Sequence, residues 1–305
     1  PALAQIGLVP RPKLNFSHPG VKRVGVLMLP ALLGVSVSQI NLLLDTVLAT
    51  FLQKGSISWL YYSDRLLELP LALFGIAIAT VILPALSADY AKSDEDRFAA
   101  KLDWAIRLVL LFGLPASIAL VILADVLIAT IFYHGAMTQF DLVMAGLSLK
   151  AYAAGLTAHM MVKVLAPGFF ARQDMKTPVK IGIIALVTNM VFNLVLIGFL
   201  GHIGLALATS ISAFVNAFLL WRALSMSSIY RPGAQWLKFI VRIGLALVLM
   251  QGLLLMIVPS LDQWLSYALE DQILALFGLC AVGSTLYLIT LWLLGLRVSD
   301  FRDQI

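Results

Sequence analysis

Long apolar runs alternate with short polar clusters along almost the whole chain. Runs able to cross about 30 Å of hydrocarbon at about 1.5 Å per helical residue occupy residues 21–51, 58–86, 102–132, 140–165, 177–198, 204–226, 234–258 and 272–295. The expected fold is all-α, a polytopic transmembrane helix bundle of eight spans. Several runs exceed the minimum length, which predicts tilt or extension into the headgroup region. Pro30, Pro70, Pro84 and Pro115 fall inside spans. Each removes a backbone hydrogen bond and is expected to bend its helix. At Pro70 the bend is read as either a hinge or a static kink.

Composition agrees with a membrane protein and narrows the function. The chain is 61% hydrophobic and 12% charged, with mean hydropathy +0.97, where a soluble domain carries about 25% charged residues. The connecting loops are too short for a soluble catalytic domain, and the chain is not expected to be an enzyme. Cys280 is the one cysteine, which excludes disulfides and thiolate metal sites within the chain. The start, Pro1-Ala-Leu-Ala, lacks a Met and the basic-then-apolar order of a signal peptide. It is expected to continue a longer polypeptide, with residues 1–20 as a basic cytoplasmic linker.

The net charge of +5 is distributed by side. Alternate loops hold 18 of the 21 Lys and Arg residues, from Arg11 and Lys13 through Lys92, Arg97, Arg172 and Lys176 to Arg297 and Arg302. The opposite loops hold only Lys54, while Arg65 and Lys150 lie within spans. Basic loops stay cytoplasmic, so both ends of the chain are expected in the cytoplasm.

Polar residues within the spans are the candidate chemistry. An ionised side chain in hydrocarbon costs about 2.5–3.5 kcal/mol even on insertion scales. It therefore needs a wet cavity or a partner. Ser58, Tyr61, Arg65 and Glu68 share one helix stripe, with Asp64 beside it. That pattern describes a helix lining a polar cavity, or an internal salt bridge of Arg65 with Glu68 or Asp64 that ties helices together. Further stripes are Ser38, Asn41 and Asp45; Asn189 and Asn193; and Thr209, Ser212 and Asn216. They read as interhelical hydrogen bonding or as oxygen donors for a monovalent cation around Asp45. Lys150 is expected to line the cavity or to pair with Asp45 or Glu68. His159 reads as a packed interior histidine. The last two spans read as lipid-facing, without a site of their own. No nucleotide-binding loop, zinc motif or nucleophile elbow is present, so no cofactor is expected.

Two stretches carry a family resemblance. Trp59-Leu-Tyr-Tyr-Ser-Asp-Arg-Leu-Leu-Glu-Leu-Pro70 resembles the YYADR-x-x-E-x-P segment of the MurJ (MviN) lipid II flippases. Lys163-Val-Leu-Ala-Pro-Gly-Phe-Phe-Ala-Arg-Gln-Asp-Met-Lys-Thr-Pro-Val-Lys180 is similar to that family's KVLAP…RQD-x-KTPVK cytoplasmic loop. The resemblance implies two six-helix lobes of the multidrug/oligosaccharidyl-lipid/polysaccharide exporter fold followed by two extra helices. The spans here match the second lobe, 21–226, and the two extra helices, 227–305, expected to form a groove for the lipid tail. The implied partners are lipid II, the membrane and the first lobe of the same polypeptide, with no nucleic acid.

The implied activity is translocation of lipid II from the cytoplasmic to the periplasmic leaflet of the bacterial inner membrane. Arg65 then matches the family's cavity arginine, Glu68 the acid three residues later and Ser58 a cavity-lining serine, with Asp64 adjacent in the substrate-binding set. Asp45, Asn189, Asn193 and Thr209 match a monovalent cation site, Asn193 standing where relatives carry a carboxylate. The alternatives are an exporter of drugs or O-antigen-type lipids within the same superfamily, and a non-transporting membrane scaffold.

Overall fold

A computed structural model of the chain describes residues 39–297 except 228, 229, 231, 232 and 234, with 19 and 25 as isolated positions. The linker expected over 1–20 and most of the first span, including Pro30 and Ser38, lie outside the described residues. The described part of that span, 39–50, is helical (α1). There follow α2 (Ser56–Pro70), a π-helical segment (Leu71–Ile76), α3 (Ala77–Ala91), α4 (Glu95–Phe132), α5 (Gln139–Phe170), α6 (Lys176–Leu200) and α7 (His202–Met226). The chain ends on α8 (Trp236–Ile257), the short α9 (Leu261–Ser266) and α10 (Leu269–Leu293). Seven helical stretches among the described residues are long and apolar enough to cross a membrane. They coincide with the second to eighth expected spans, and the protein is a multi-pass membrane protein.

The helix ends follow from local chemistry. Asp94 accepts a hydrogen bond from the Arg97 amide, and Glu95 and Asp96 occupy the first turn of α4, where the helix dipole favours negative charge. This cap sets α4 off seven residues before its apolar run begins. Thr138 and Asp141 close a capping box at the start of α5. Asp174 accepts from the backbone of Lys176 and Thr177 and from Thr177 Oγ1 at 2.6 Å, which orders the basic loop ahead of α6. Burial alone would push the Asp174 carboxyl up. The hydrogen bonds from Thr177 and Lys176 and the nearby Arg172 guanidinium outweigh it and hold the group below the usual carboxylate range. Its stabilising effect is therefore present above that range and lost as pH falls through the lowered value.

Pro70 lacks the N–H that would continue the α-helical ladder, and the backbone widens into the π-helical segment directly after it. The bend expected at Pro70 thus takes the form of a changed hydrogen-bond register. The helices carrying Pro84 and Pro115 continue through them.

Helix α5 is central: 61% of its most apolar window is buried, against 17% for α6. Lipid tails are as apolar as the side chains, so close fit and polar contacts hold such helices together. Gly155 lets α7 approach α5, since a Cβ there would lie 2.6 Å from Ser210 Oγ. Ser210 Oγ in turn donates to the Ala151 carbonyl at 2.7 Å. Ser63 Oγ of α2 donates to the α5 carbonyl of Ala145 at 2.7 Å.

The last two spans are not simply lipid-facing. Phe239, Ile243, Ala246, Met250 and Leu254 of α8 are buried in one cluster with Leu111 of α4 and Tyr287 of α10. Asp103 fastens this attachment at one end. It accepts from Tyr230 Oη at 2.7 Å and Trp236 Nε1 at 2.6 Å, and pairs with Arg107 at 2.6 Å.

Candidate functional site

The stripe on α2 is one exposed face. Ser58, Tyr61, Arg65 and Glu68 are exposed, whereas Trp59, Leu60, Ser63, Leu66 and Leu67 on the other side are buried. Arg65 Nη1 lies 2.6 Å from Glu68 Oε2, with side-chain exposures of 49% and 52%. The guanidinium also sits over the Tyr61 ring, 4.9 Å from its centroid. The pair lies within one helix, so it ties no two helices together, and the salt-bridge alternative loses its structural purpose. Asp64 is partly buried between the two faces and forms no ion pair among the described residues. Charges half exposed at membrane depth need water or a partner surface opposite them.

The second polar cluster brings side chains of α1, α6 and α7 together. Asp45, Asn189 and Asn193 are buried, at 8%, 1% and 0% exposure. Asn193 Nδ2 donates to Asp45 Oδ1 at 2.6 Å and Thr209 Oγ1 to Asp45 Oδ2 at 3.3 Å. Asn193 Nδ2 also donates to Asn189 Oδ1 at 2.7 Å, and Asn189 Nδ2 donates to Thr209 Oγ1 at 3.2 Å. Asn193 Oδ1 is buried without a hydrogen-bond partner. One carboxylate of α1 therefore stands amid amide and hydroxyl oxygens contributed by α6 and α7. Such a donor set suits a small hard cation better than a soft metal.

Lys150 corrects the expectation of a partner in Asp45 or Glu68. Its Nζ lies 2.7 Å from Asp125 Oδ2 of α4. The reason is steric: Gly146, one turn earlier on α5, offers no Cβ, and Asp125 occupies that space. Asp125 escaped the sequence reading, although a carboxylate inside an apolar run signals a buried partner. His159 does lie in the interior, with its Nε2 buried and unpartnered.

Two cavities flank α5. One, of about 760 Å³, is almost wholly apolar and lies between α4, α5, α7 and α8, with Leu114, Ile118, Phe214, Phe218 and Ile240 among its walls. None of its lining residues comes from α2 or α10. The other, of about 650 Å³, is more polar and lies between α1, α5, α6 and α7.

The chain is similar in sequence and fold to known proteins. The family model described as Lipid II flippase MurJ matches residues 1–271. The chain belongs to the MurJ family. A probable lipid II flippase MurJ of Vibrio cholerae serotype O1 is 49% identical over 302 residues, covering 99% of this chain and 58% of that protein. The lipid II flippase MurJ of Burkholderia cenocepacia is 38% identical over 309 residues, covering 100% of this chain and 60% of that protein. The chain thus spans less than two thirds of these MurJ relatives. A solved structure of lipid II flippase MurJ in an inward closed conformation superposes with a TM-score of 0.72 at 27% identity, covering 94% of this chain and 57% of that one. An outward-facing MATE transporter of the MOP superfamily shares the fold, with a TM-score of 0.60 at 18% identity over 74% of this chain and 51% of that one.

Proposed function

We propose that this chain is the second lobe, with two additional helices, of a flippase that moves lipid II from the cytoplasmic to the periplasmic leaflet of the bacterial inner membrane. The observation that carries this reading is the exposed Arg65–Glu68 face of α2 in a chain of the MurJ family. A first lobe of the same polypeptide faces that stripe and closes a wet cavity between the two. There Arg65 grips the pyrophosphate, since a guanidinium offers paired hydrogen bonds to phosphate oxygens. Glu68 neutralises Arg65 while the cavity is empty, and Ser58 and Asp64 complete the polar wall. The apolar cavity beside α8 provides a surface of the kind a polyprenyl chain occupies. Translocation here is transport, driven by gradients or membrane potential. The Asp45 cluster, with Asn189, Asn193 and Thr209, binds the monovalent cation that couples to it. Growth of a bacterium depleted of its own lipid II flippase tests the function: the full-length protein containing this chain should restore it, and failure to do so despite normal membrane insertion would remove the proposal.

Orientation has its own test. Lys92, Arg97, Arg172 and Lys176 mark one end of the bundle, and Asp141, Asp262, Glu270 and Asp271 the other. The basic end is cytoplasmic on the positive-inside rule. With Cys280→Ser as background, Ala136→Cys should react with an impermeant thiol reagent from the periplasm. Lys180→Cys should react only after the membrane is opened. A reversed pattern would overturn the orientation.

A further inference from the structure

The polar cavity between α1, α5, α6 and α7 reaches the edge of the Asp45 cluster, since Thr209 is among its walls. Its walls include Asn41 and Thr209 at the inner end, Ser212 and Asn216 along α7, and His159 and Lys163 on α5. At the other end it reaches Phe170, Met175 and Pro178, which border the basic loop. Asp45 lies one turn beyond Asn41 on α1, and Asn189 one turn beyond Ala185, a wall residue of α6. The cavity is therefore a passage from the basic-loop end to the buried carboxylate.

Two buried polar atoms along this line lack partners: His159 Nε2 in the wall and Asn193 Oδ1 at the cluster. An unmade hydrogen bond of this kind costs about 1–3 kcal/mol, and water or an ion is the ordinary reason such an atom is tolerated. A volume of about 650 Å³ leaves room for many waters, each occupying about 30 Å³ in the liquid.

We propose that this cavity is a hydrated vestibule through which a small monovalent metal cation such as sodium passes between the Asp45 cluster and the cytoplasm. This rests on the reading of Asp45 as a cation site and of the basic loops as cytoplasmic. The charge profile suits a carried ion rather than a leak. The Lys163 ammonium at the mouth repels a cation, while the Asp45 carboxylate at the blind end attracts it. The cation therefore rests only at Asp45 and crosses the vestibule in transit.

The test uses the full-length protein in membranes, with Cys280→Ser as background and either Ser212→Cys or Asn216→Cys. A hydrophilic methanethiosulfonate reagent is applied from each side. Both cysteines should react from the cytoplasmic side alone. Sodium, with potassium as the control ion, should slow labelling at Ser212→Cys several-fold. That protection should vanish in Asp45→Asn. Absence of labelling at both positions, or labelling from the periplasm, overturns the vestibule. The cation reading is then still judged separately, by whether Asp45→Asn restores growth. Labelling that sodium leaves unchanged relative to potassium overturns the cation passage and the cation site together.

Discussion

Arg65→Ala in the full-length protein is expected to abolish growth complementation while leaving the protein in the membrane at normal level. Arg65 lies on the exposed face of α2 and touches no neighbouring helix through its ion pair. Removing it should not weaken the packing of Trp59, Leu66 and Leu67 on the opposite face. What is lost is the group that binds two phosphate oxygens at once. Arg65→Lys keeps the charge but offers a point donor in place of a planar fork, so it should retain partial function. Glu68→Gln should behave differently again. It frees Arg65 from its 2.6 Å partner and leaves the empty cavity cationic, which shifts the balance of cavity states by the difference in their affinity for that charge. Flipping should change in rate, and cavity cysteines should change in accessibility without substrate. Normal growth with Ala at position 65 would remove Arg65 from the substrate site.

The spans were legible because hydropathy and length alone decide which segments cross a bilayer, and α6 and α7 match their expected runs to within two residues at each end. The Arg65 stripe was legible for a similar reason: one helix fixes its own face, whatever surrounds it. The Asp45 cluster needed more. Periodicity puts Asn189 and Asn193 on one face of α6, but only the packing of α1, α6 and α7 brings Thr209 to the same carboxylate, and the family resemblance supplied that pairing. Lys150 shows where such reasoning fails. Its partner depends on the register of α4 against α5 and on the missing Cβ of Gly146, neither of which a one-dimensional pattern records. The π-helical segment after Pro70 was hidden too, because proline signals a lost hydrogen bond without saying how the backbone recovers. The buried role of α8 was missed because an apolar face toward protein reads the same as one toward lipid.

Lys150→Met is expected to destabilise the protein, and Lys150→Met with Asp125→Leu to recover most of that loss. The pair joins α4 to α5 at membrane depth, with side-chain exposures of 34% and 35%. Removing one partner leaves the other charge without a counterion. Insertion scales put a lone charge near the centre of a span at about 2.5–3.5 kcal/mol. Exposure of a third of each side chain lowers the penalty, so a loss of about 2 kcal/mol is the expected size. Replacing both charges removes the desolvation problem altogether, and such double replacements are often neutral. Thermal unfolding in detergent should show Lys150→Met melting below wild type and the double variant near it. Growth complementation then separates structure from transport. If the double variant is as stable as wild type and supports growth, the pair serves packing alone. A stable double variant that cannot support growth would place Lys150 or Asp125 in the transport cycle. Equal melting of Lys150→Met and wild type would mean that Asp125 finds another partner, and the ion pair would lose its assigned role.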